Sequence, residues 1–282
     1  MSIDSSAVIV SPGNAALVLD SPHSGAEYPE DFRPACPFDA LRSVEDAFVD
    51  QLWNFAPKLD VAFVAARFPR SYIDANRSLL EIDPLLLDEP WPGPMSGGPK
   101  VRLGKGLVWR MLDDGTAIYD RSLSVQEVQQ RIERCWQPYH DALTRVLDDC
   151  HRRHGQVIHL NCHSMPAVAD KYSTEHPWMA HADFVLGDRD GTSADPQLTR
   201  WIERFLNSRG YAVSVNHPYK GVELVRKHGR PAEGRHSIQI EVNKRLYMDE
   251  NTQKLHAGFL SVRRVLLELS QQLLRGVPLH DA

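Results

Sequence analysis

The chain has no Cys-x-x-Cys pair. Its four cysteines, Cys36, Cys135, Cys150 and Cys162, are scattered, which argues against a thiolate zinc site or a disulfide framework. They are expected to be reduced and packed. No apolar run approaches the ~20 residues of a membrane span, and no basic start with a following apolar stretch opens the chain. A soluble, cytoplasmic protein without a membrane partner is therefore expected. The formal net charge is only −5 and the basic residues form no stripe interleaved with aromatics, so no nucleic-acid partner is expected. Composition gives no sign of repeats or disorder, and 282 residues with 42% hydrophobic content can bury one core, so a single domain over 1–282 is expected. A Gly-x-Ser-x-Gly elbow is also missing. Ser24 and Ser164 each adjoin a histidine in sequence, where side chains on an extended chain diverge, and this disfavours a serine nucleophile.

What the chain does have is a recurring pattern of short apolar runs that end in polar, chemistry-bearing turns. Residues 157–164 (VIHLNCHS) run as a strand into His163. Residues 15–19 lead to Asp20 and His23, residues 61–66 lead to Arg70, Asp74, Asn76 and Arg77, and residues 238–242 carry Glu241. In an open α/β sheet ligands bind outside the carboxyl ends of strands, so these side chains would meet at one rim. Histidines, carboxylates and an Asn-Arg pair are the components of a metal-dependent hydrolase.

Helical patterns fall between the strands. Ser124 and Glu127 form a capping box ahead of Val125, Val128, Ile132 and Trp136, with Pro138 expected to kink or split the helix before it stops near Gly155. Asp195-Pro196 opens a second helix closed by Gly210, and a third is predicted from about Gln253 to Leu274. Runs at 184–186 and 211–215 are too short for helices. Alternating strands and helices argue for an α/β fold with a mixed, largely parallel sheet. Asp114-Gly115 between 108–112 and 116–119 reads as a hairpin insertion, and 84–106 as a long, functional loop.

A hydrolytic zinc site needs about three protein ligands and an open position. His23 and His163 are two candidates; His159 would share the strand face of His163, either as its neighbour or as a core histidine, while His151, His154 and His280 are expected to be solvated. The carboxylate could be Glu27, Glu45, Asp46 or Asp50. The spacing of Val44, Phe48 and Leu52 predicts a helix there, with Asp46 and Asp50 on one face. Glu241 lies on the polar face of an alternating strand with Ser237, Gln239 and Asn243, a face either open to water or lining a cleft. Asn76-Arg77 suits a substrate carboxylate, or else belongs to a surface ion pair with Asp74.

Seven blocks in order, SPHSGAEYPEDF, SVEDAFVD, RSYIDANRS, NCHSMP, DFVLGDRDGTS, NHPYKG and SIQIEVNKRLYMDE, resemble the N-formylglutamate amidohydrolase family over about residues 17–250. That family is related to the zinc carboxypeptidase and aspartoacylase group. The resemblance implies a three-layer α/β/α sandwich and one zinc per chain, bound by His23 and His163. It also implies Asn76 and Arg77 as the grip on the substrate carboxylate, Glu241 as general base and Arg70 as the group polarising the scissile carbonyl. Where the carboxypeptidase pattern has its carboxylate ligand, three residues after the first histidine, this chain has Ala26, so Asp46 is preferred as third ligand. A second substrate carboxylate would need another cation, for which Lys220, Arg189 and Arg226 are candidates. The implied reaction releases formate and glutamate from the small-molecule substrate N-formyl-L-glutamate, a step of histidine degradation. A zinc amidohydrolase for another N-acyl amino acid and a non-catalytic carboxylate-binding protein are the alternatives.

Overall fold

A computed structural model describes residues 7–169 and 177–276. His280 lies outside them. In chain order the elements are β1 (Val8–Ser11), β2 (Leu17–Ser21), α1 (Phe38–Ser43), α2 (Val49–Trp53), β3 (Ala62–Ala66), α3 (Pro99–Arg102), α4 (Val125–Arg131), α5 (Gln137–His154), β4 (Val157–Met165), β5 (Phe184–Gly187), α6 (Pro196–Asn207), β6 (Val213–Val215), α7 (Glu223–His228), β7 (Arg235–Asn243), β8 (Met248–Asp249), β9 (Lys254–Leu255) and α8 (Gly258–Leu274). Seven strands form one sheet in the order β1-β3-β2-β4-β7-β5-β6. The centre, β3-β2-β4-β7, is parallel, whereas β1 and β5 run antiparallel to their inner neighbours. The fold is thus α/β with a mixed sheet, as the alternating pattern predicts.

Side chains alternate across the central strands, and the two faces bury different material. Leu17, Leu19, Leu160, Cys162, Ile238, Ile240 and Val242 pack on one side with Leu52 of α2, Ile202 of α6 and Leu266 and Leu269 of α8. Each fully buried leucine or isoleucine contributes roughly 1.5–3 kcal/mol. The opposite face is covered by α5, whose Leu143, Leu147 and Cys150 meet Val18, Val64 and Ala66. In the middle of that face the alternation turns polar: Asp20, His159, Asn161, His163, Ser237, Gln239 and Glu241 are all buried. The polar face of β7 is therefore neither open to water nor part of a plain apolar core. All four cysteines are free and buried, and among the described residues no helix is long and apolar enough to cross a membrane.

Several local expectations shift. The Ser124–Glu127 capping box forms as predicted. Pro138 does not split the helix; a π-helical turn at Ile132–Trp136 precedes it and α5 continues to Gly155. A proline in the first turn of α5 removes one backbone donor, and the widened turn lies just ahead of it. The last helix begins at Gly258, not Gln253, because Lys254–Leu255 pairs with Met248–Asp249 as a two-residue ribbon. The Asp114-Gly115 hairpin is reduced to one bridge, Met111 with Ala117, around a tight turn. The loop 84–106 contains a 3₁₀ turn at Pro84–Leu86 and α3. The helix predicted across 44–52 is broken: α1 ends at Ser43, Phe48 adopts φ 67°, and α2 starts only at Val49. Asp46 and Asp50 therefore do not share a helix face. Asp46 sits in the break, where its amide donates to the His23 carbonyl at 3.0 Å.

Two buried histidines make the fold acid-sensitive. His140 lies stacked on Trp136 and is pushed down to about 3 by burial and then by Lys227. Burial, then His159 and Lys227, push His228 down to about 2. An unfolded histidine titrates near ~6.5, so below that value the unfolded chain binds more protons and stability is lost as pH falls toward 3. The slope is at most ~1.4 kcal/mol per pH unit for each ring. Thermal unfolding between pH 7 and pH 5, with a chelator present so that metal release does not contribute, is expected to show a falling midpoint. A flat profile would mean that the rings accept protons within the fold.

Candidate active site

The four parallel central strands point their carboxyl ends at one rim. β2 ends two residues before His23, β3 leads into the segment 67–77, and β4 and β7 place His163 and Glu241 as direct neighbours in register. One row deeper, Asp20, Asn161 and Gln239 stand side by side. Gly25 permits the close approach of the segment after His23 to the end of β3, since a Cβ there would lie 2.5 Å from the Arg67 and Phe68 backbone.

His23, Asp46 and His163 converge in this turn region, with ligand atoms all within 4.8 Å of one another and every residue buried. His163 Nδ1 stands 2.8 Å and His23 Nδ1 3.5 Å from Asp46 Oδ2. The outer ring nitrogens are held from behind. His23 Nε2 meets Asp74 Oδ1 at 2.6 Å, and His163 Nε2 meets Asn161 Oδ1 at 2.8 Å. The Asn161 amide nitrogen donates to Asp20 Oδ1, which fixes the amide orientation and leaves its oxygen as an acceptor for His163 Nε2–H. Both rings then present an Nδ1 lone pair to the common centre. His23 Nδ1 is buried and has no hydrogen-bond partner, a costly state unless a cation fills the place. Two imidazole nitrogens and a carboxylate, with carboxylate and amide groups orienting the rings, fit a zinc ion.

Electrostatics agree with this fit. Burial raises the Asp46 carboxyl, but the facing His163 and His23 rings and the charge of Arg70 outweigh it and hold the group well below the usual carboxylate range. Burial lowers His163 against the pull of Asp46, so the ring stays neutral and able to donate a lone pair. Asp74 is also buried, and His23, Arg70 and Arg77 together overcome that burial to keep it ionised. Glu241 goes the other way: burial and then the charge of Asp46 push it well above the usual range, only partly opposed by Arg70 and by the Gln239 amide at 2.8 Å.

The other predicted residues separate into two groups. Arg70 spans Asp46 Oδ1 at 3.3 Å and Asp74 Oδ2 at 3.2 Å and lies over the Trp109 ring, at 4.8 Å from its centroid. Arg77 is buried, its Nε donating to the Lys105 carbonyl at 3.1 Å and Nη1 to the Asn76 carbonyl at 3.3 Å. Asn76 accepts from the Leu224 amide at 2.9 Å, and its own amide nitrogen faces His163 Nε2 and Gln239. Arg189 and Lys220 are not brought to this centre. β5 runs antiparallel to β7, with Gly187 level with Gln239, so the chain moves away from the rim before Arg189. Arg189 donates to the Gly221 carbonyl and Lys220 pairs with Asp190. Arg226 pairs with Glu223. Of the other carboxylates, Glu27 forms an exposed pair with Arg67, and Glu45 is held by Arg42 and Tyr28. His159 is a core histidine, bonded to Asp20 and Ser237.

Asp74 was placed at the rim without a role in the sequence-based site, and Trp109 is absent from it. Asp74 is no surface residue: it is fully buried, and besides His23 and Arg70 it accepts from Trp109 Nε1 at 3.1 Å. Its position between Arg70 and Asn76-Arg77 in RSYIDANRS was the available signal.

The family model for N-formylglutamate amidohydrolase matches residues 15–248. An N-formylglutamate deformylase of Pseudomonas putida is 29% identical over 244 residues, 84% of each chain. One of Pseudomonas aeruginosa is 26% identical over 274 residues, 93% of this chain and 94% of that one. The crystal structure of an N-formylglutamate amidohydrolase from Ralstonia eutropha JMP134 superposes with a TM-score of 0.91 at 46% identity, covering 96% of this chain and 99% of its own. A gene product of Agrobacterium tumefaciens, 17% identical with a TM-score of 0.65, shares the fold. With its model matched across most of the length, the chain belongs to the N-formylglutamate amidohydrolase family.

Proposed function

We propose that this protein hydrolyses N-formyl-L-glutamate to formate and L-glutamate, as the names of its relatives suggest, with one zinc held by His23, Asp46 and His163. The observation that carries this reading is the convergence of three buried ligand atoms beside Glu241. When bound, zinc supplies Lewis acidity and draws the pKa of a water molecule down toward ~7. Glu241, the neighbour of His163, takes the proton of the attacking water and returns it to the departing amine, and its raised pKa suits both directions of transfer. Arg70 faces the centre through Asp46 and offers positive charge where the formyl oxygen becomes negative. Arg77, with Asn76 beside it, holds the α-carboxylate so that the formyl carbon stays at the centre; two carbonyls already fix the plane of its guanidinium. Asn76 also ties the His163 region to α7 through Leu224. Formate and glutamate as products would place the step at the end of a histidine degradation route.

The test is formate release from N-formyl-L-glutamate by zinc-loaded protein, compared with chelator-treated protein. Arg77→Lys keeps the charge but loses the fork, so KM should rise more than kcat falls. No formate from the loaded protein would end this reading, and a pure kcat defect in Arg77→Lys would move Arg77 from anchoring to transition-state stabilisation.

A further inference from the structure

Phe48 is held at φ 67° and ψ 6°, the left-handed region that a bulky side chain enters only where its surroundings force it. Strained residues of this kind gather where a fold makes use of the local geometry. Phe48 ends the stretch 44–48 between α1 and α2, and that stretch carries Asp46. The spacing of Val44, Phe48 and Leu52 favours one continuous helix, in which the Ser43 and Ala47 carbonyls would accept from the amides of residues 47 and 51. Here side chains from far along the chain take those carbonyls instead. The Lys244 ammonium donates to the Ser43 carbonyl at 3.0 Å, and the Tyr247 hydroxyl donates to the Ala47 carbonyl at 3.0 Å. The Gln51 amide turns to the Phe48 carbonyl at 3.1 Å. Both side-chain donors are buried, Tyr247 completely. A buried carbonyl deprived of its helical partner needs such a replacement.

The two donors belong to the 3₁₀ turn at Lys244–Leu246 and the residue after it, immediately beyond the strand that places Glu241. They grip the chain on either side of Asp46. Between those grips the Glu45 carboxylate is fastened by Tyr28 and Arg42, and the Asp46 amide by the His23 carbonyl. Resting on the metal reading given above, we infer that Lys244 and Tyr247 are positioning residues, which hold the chain open between α1 and α2 and so present Asp46 to the metal ion. Without their bonds nothing replaces the helical partners of the two carbonyls or offsets the strain at Phe48. The Asp46 carboxylate then loses its fixed place beside His23 and His163. Because Lys244 follows Glu241 by three residues, one turn sets the ligand and the base against each other.

The test is zinc affinity, measured by competition with a chelator on wild type, Tyr247→Phe and Lys244→Met. The first substitution removes one hydroxyl and keeps the ring; the second keeps an unbranched apolar stem without the ammonium. Each should weaken zinc binding about 10–100-fold, the usual cost of losing a group that orients a ligand. In an Asp46→Ala background the same substitutions should leave zinc affinity nearly unchanged, because the ligand they position is gone. The visible absorption of cobalt(II) in the site, which depends on its donor set and geometry, should change in the same order. Wild-type zinc affinity in either single variant would overturn the inference. Equal losses with and without Asp46 would also overturn it, since they mark a purely structural role. If Tyr247→Phe did not fold, Lys244→Met would decide alone. Formate release is read separately: zinc-loaded wild type that releases none ends the reaction assignment, whereas the affinity order still decides the role of Lys244 and Tyr247.

Discussion

Replacing Glu241 by Gln is expected to lower kcat by roughly 10²–10⁴, the usual worth of general acid–base catalysis, while zinc content and KM stay near wild type. The substitution is nearly isosteric and keeps one oxygen facing the Gln239 amide, so the buried polar row on β7 survives. What it removes is a proton acceptor. Glu241 is suited to that role because burial and the charge of Asp46 raise its carboxyl well above the usual carboxylate range, whereas Asp46 and Asp74, equally buried, are kept ionised by histidines and arginines. Three carboxylates in one small volume thus have their pKa values pushed in opposite directions, a pattern of acid–base sites. Measuring turnover, KM and metal on one preparation makes the roles separable. Near-normal turnover would remove Glu241 from the chemistry, and loss of zinc would recast it as a ligand.

Much of this arrangement could be read from the chain because it depends on strand alternation and strand ends. A period of two puts Gln239 and Glu241 on one face and Ile238 and Ile240 on the other, whatever the remainder of the protein does. The turns after β2, β3 and β4 carry polar residues that an apolar core would not tolerate, so His23, Asn76-Arg77 and His163 stood out. Asp46 was legible as a candidate but not by the right reasoning. The spacing of Val44, Phe48 and Leu52 suggests one helix, yet Phe48 adopts a left-handed conformation and the chain breaks so that Asp46 turns inward. That break is imposed by tertiary contacts, including the bond from the Asp46 amide to the His23 carbonyl, and no local pattern encodes it. The setting of Asp74 was left open for a similar reason. Whether a carboxylate beside an arginine faces water or a histidine depends on what covers it, and here the cover is Trp109, thirty-five residues away in sequence. Arg189 and Lys220 misled because polar loops after short strands look alike until strand direction is known. Only the antiparallel pairing of β5 with β7 shows that those loops leave the rim.

Replacing His163 by Ala is expected to abolish stable zinc binding and, with it, formate release. The ring is one of three donors that, among the described residues, could hold the ion, and Asn161, fixed by Asp20, holds it in a single orientation. Changes to residues that only orient ligands typically cost 10–100-fold in metal affinity, so loss of the ligand should exceed about 100-fold. Asp46→Asn should also weaken binding by on the order of tenfold or more, because the amide keeps an oxygen but loses the charge that Arg70 and both histidines face. Glu27→Gln is the control, since that carboxylate is engaged with Arg67 on the surface and should leave metal content unchanged. Zinc per chain after dialysis against a competing chelator gives the order, and formate release on the same samples should follow it. If metal-free His163→Ala retained full activity, the metal assignment would fall. If instead Glu27→Gln released zinc and Asp46→Asn did not, the third ligand would have to be sought outside the break between α1 and α2.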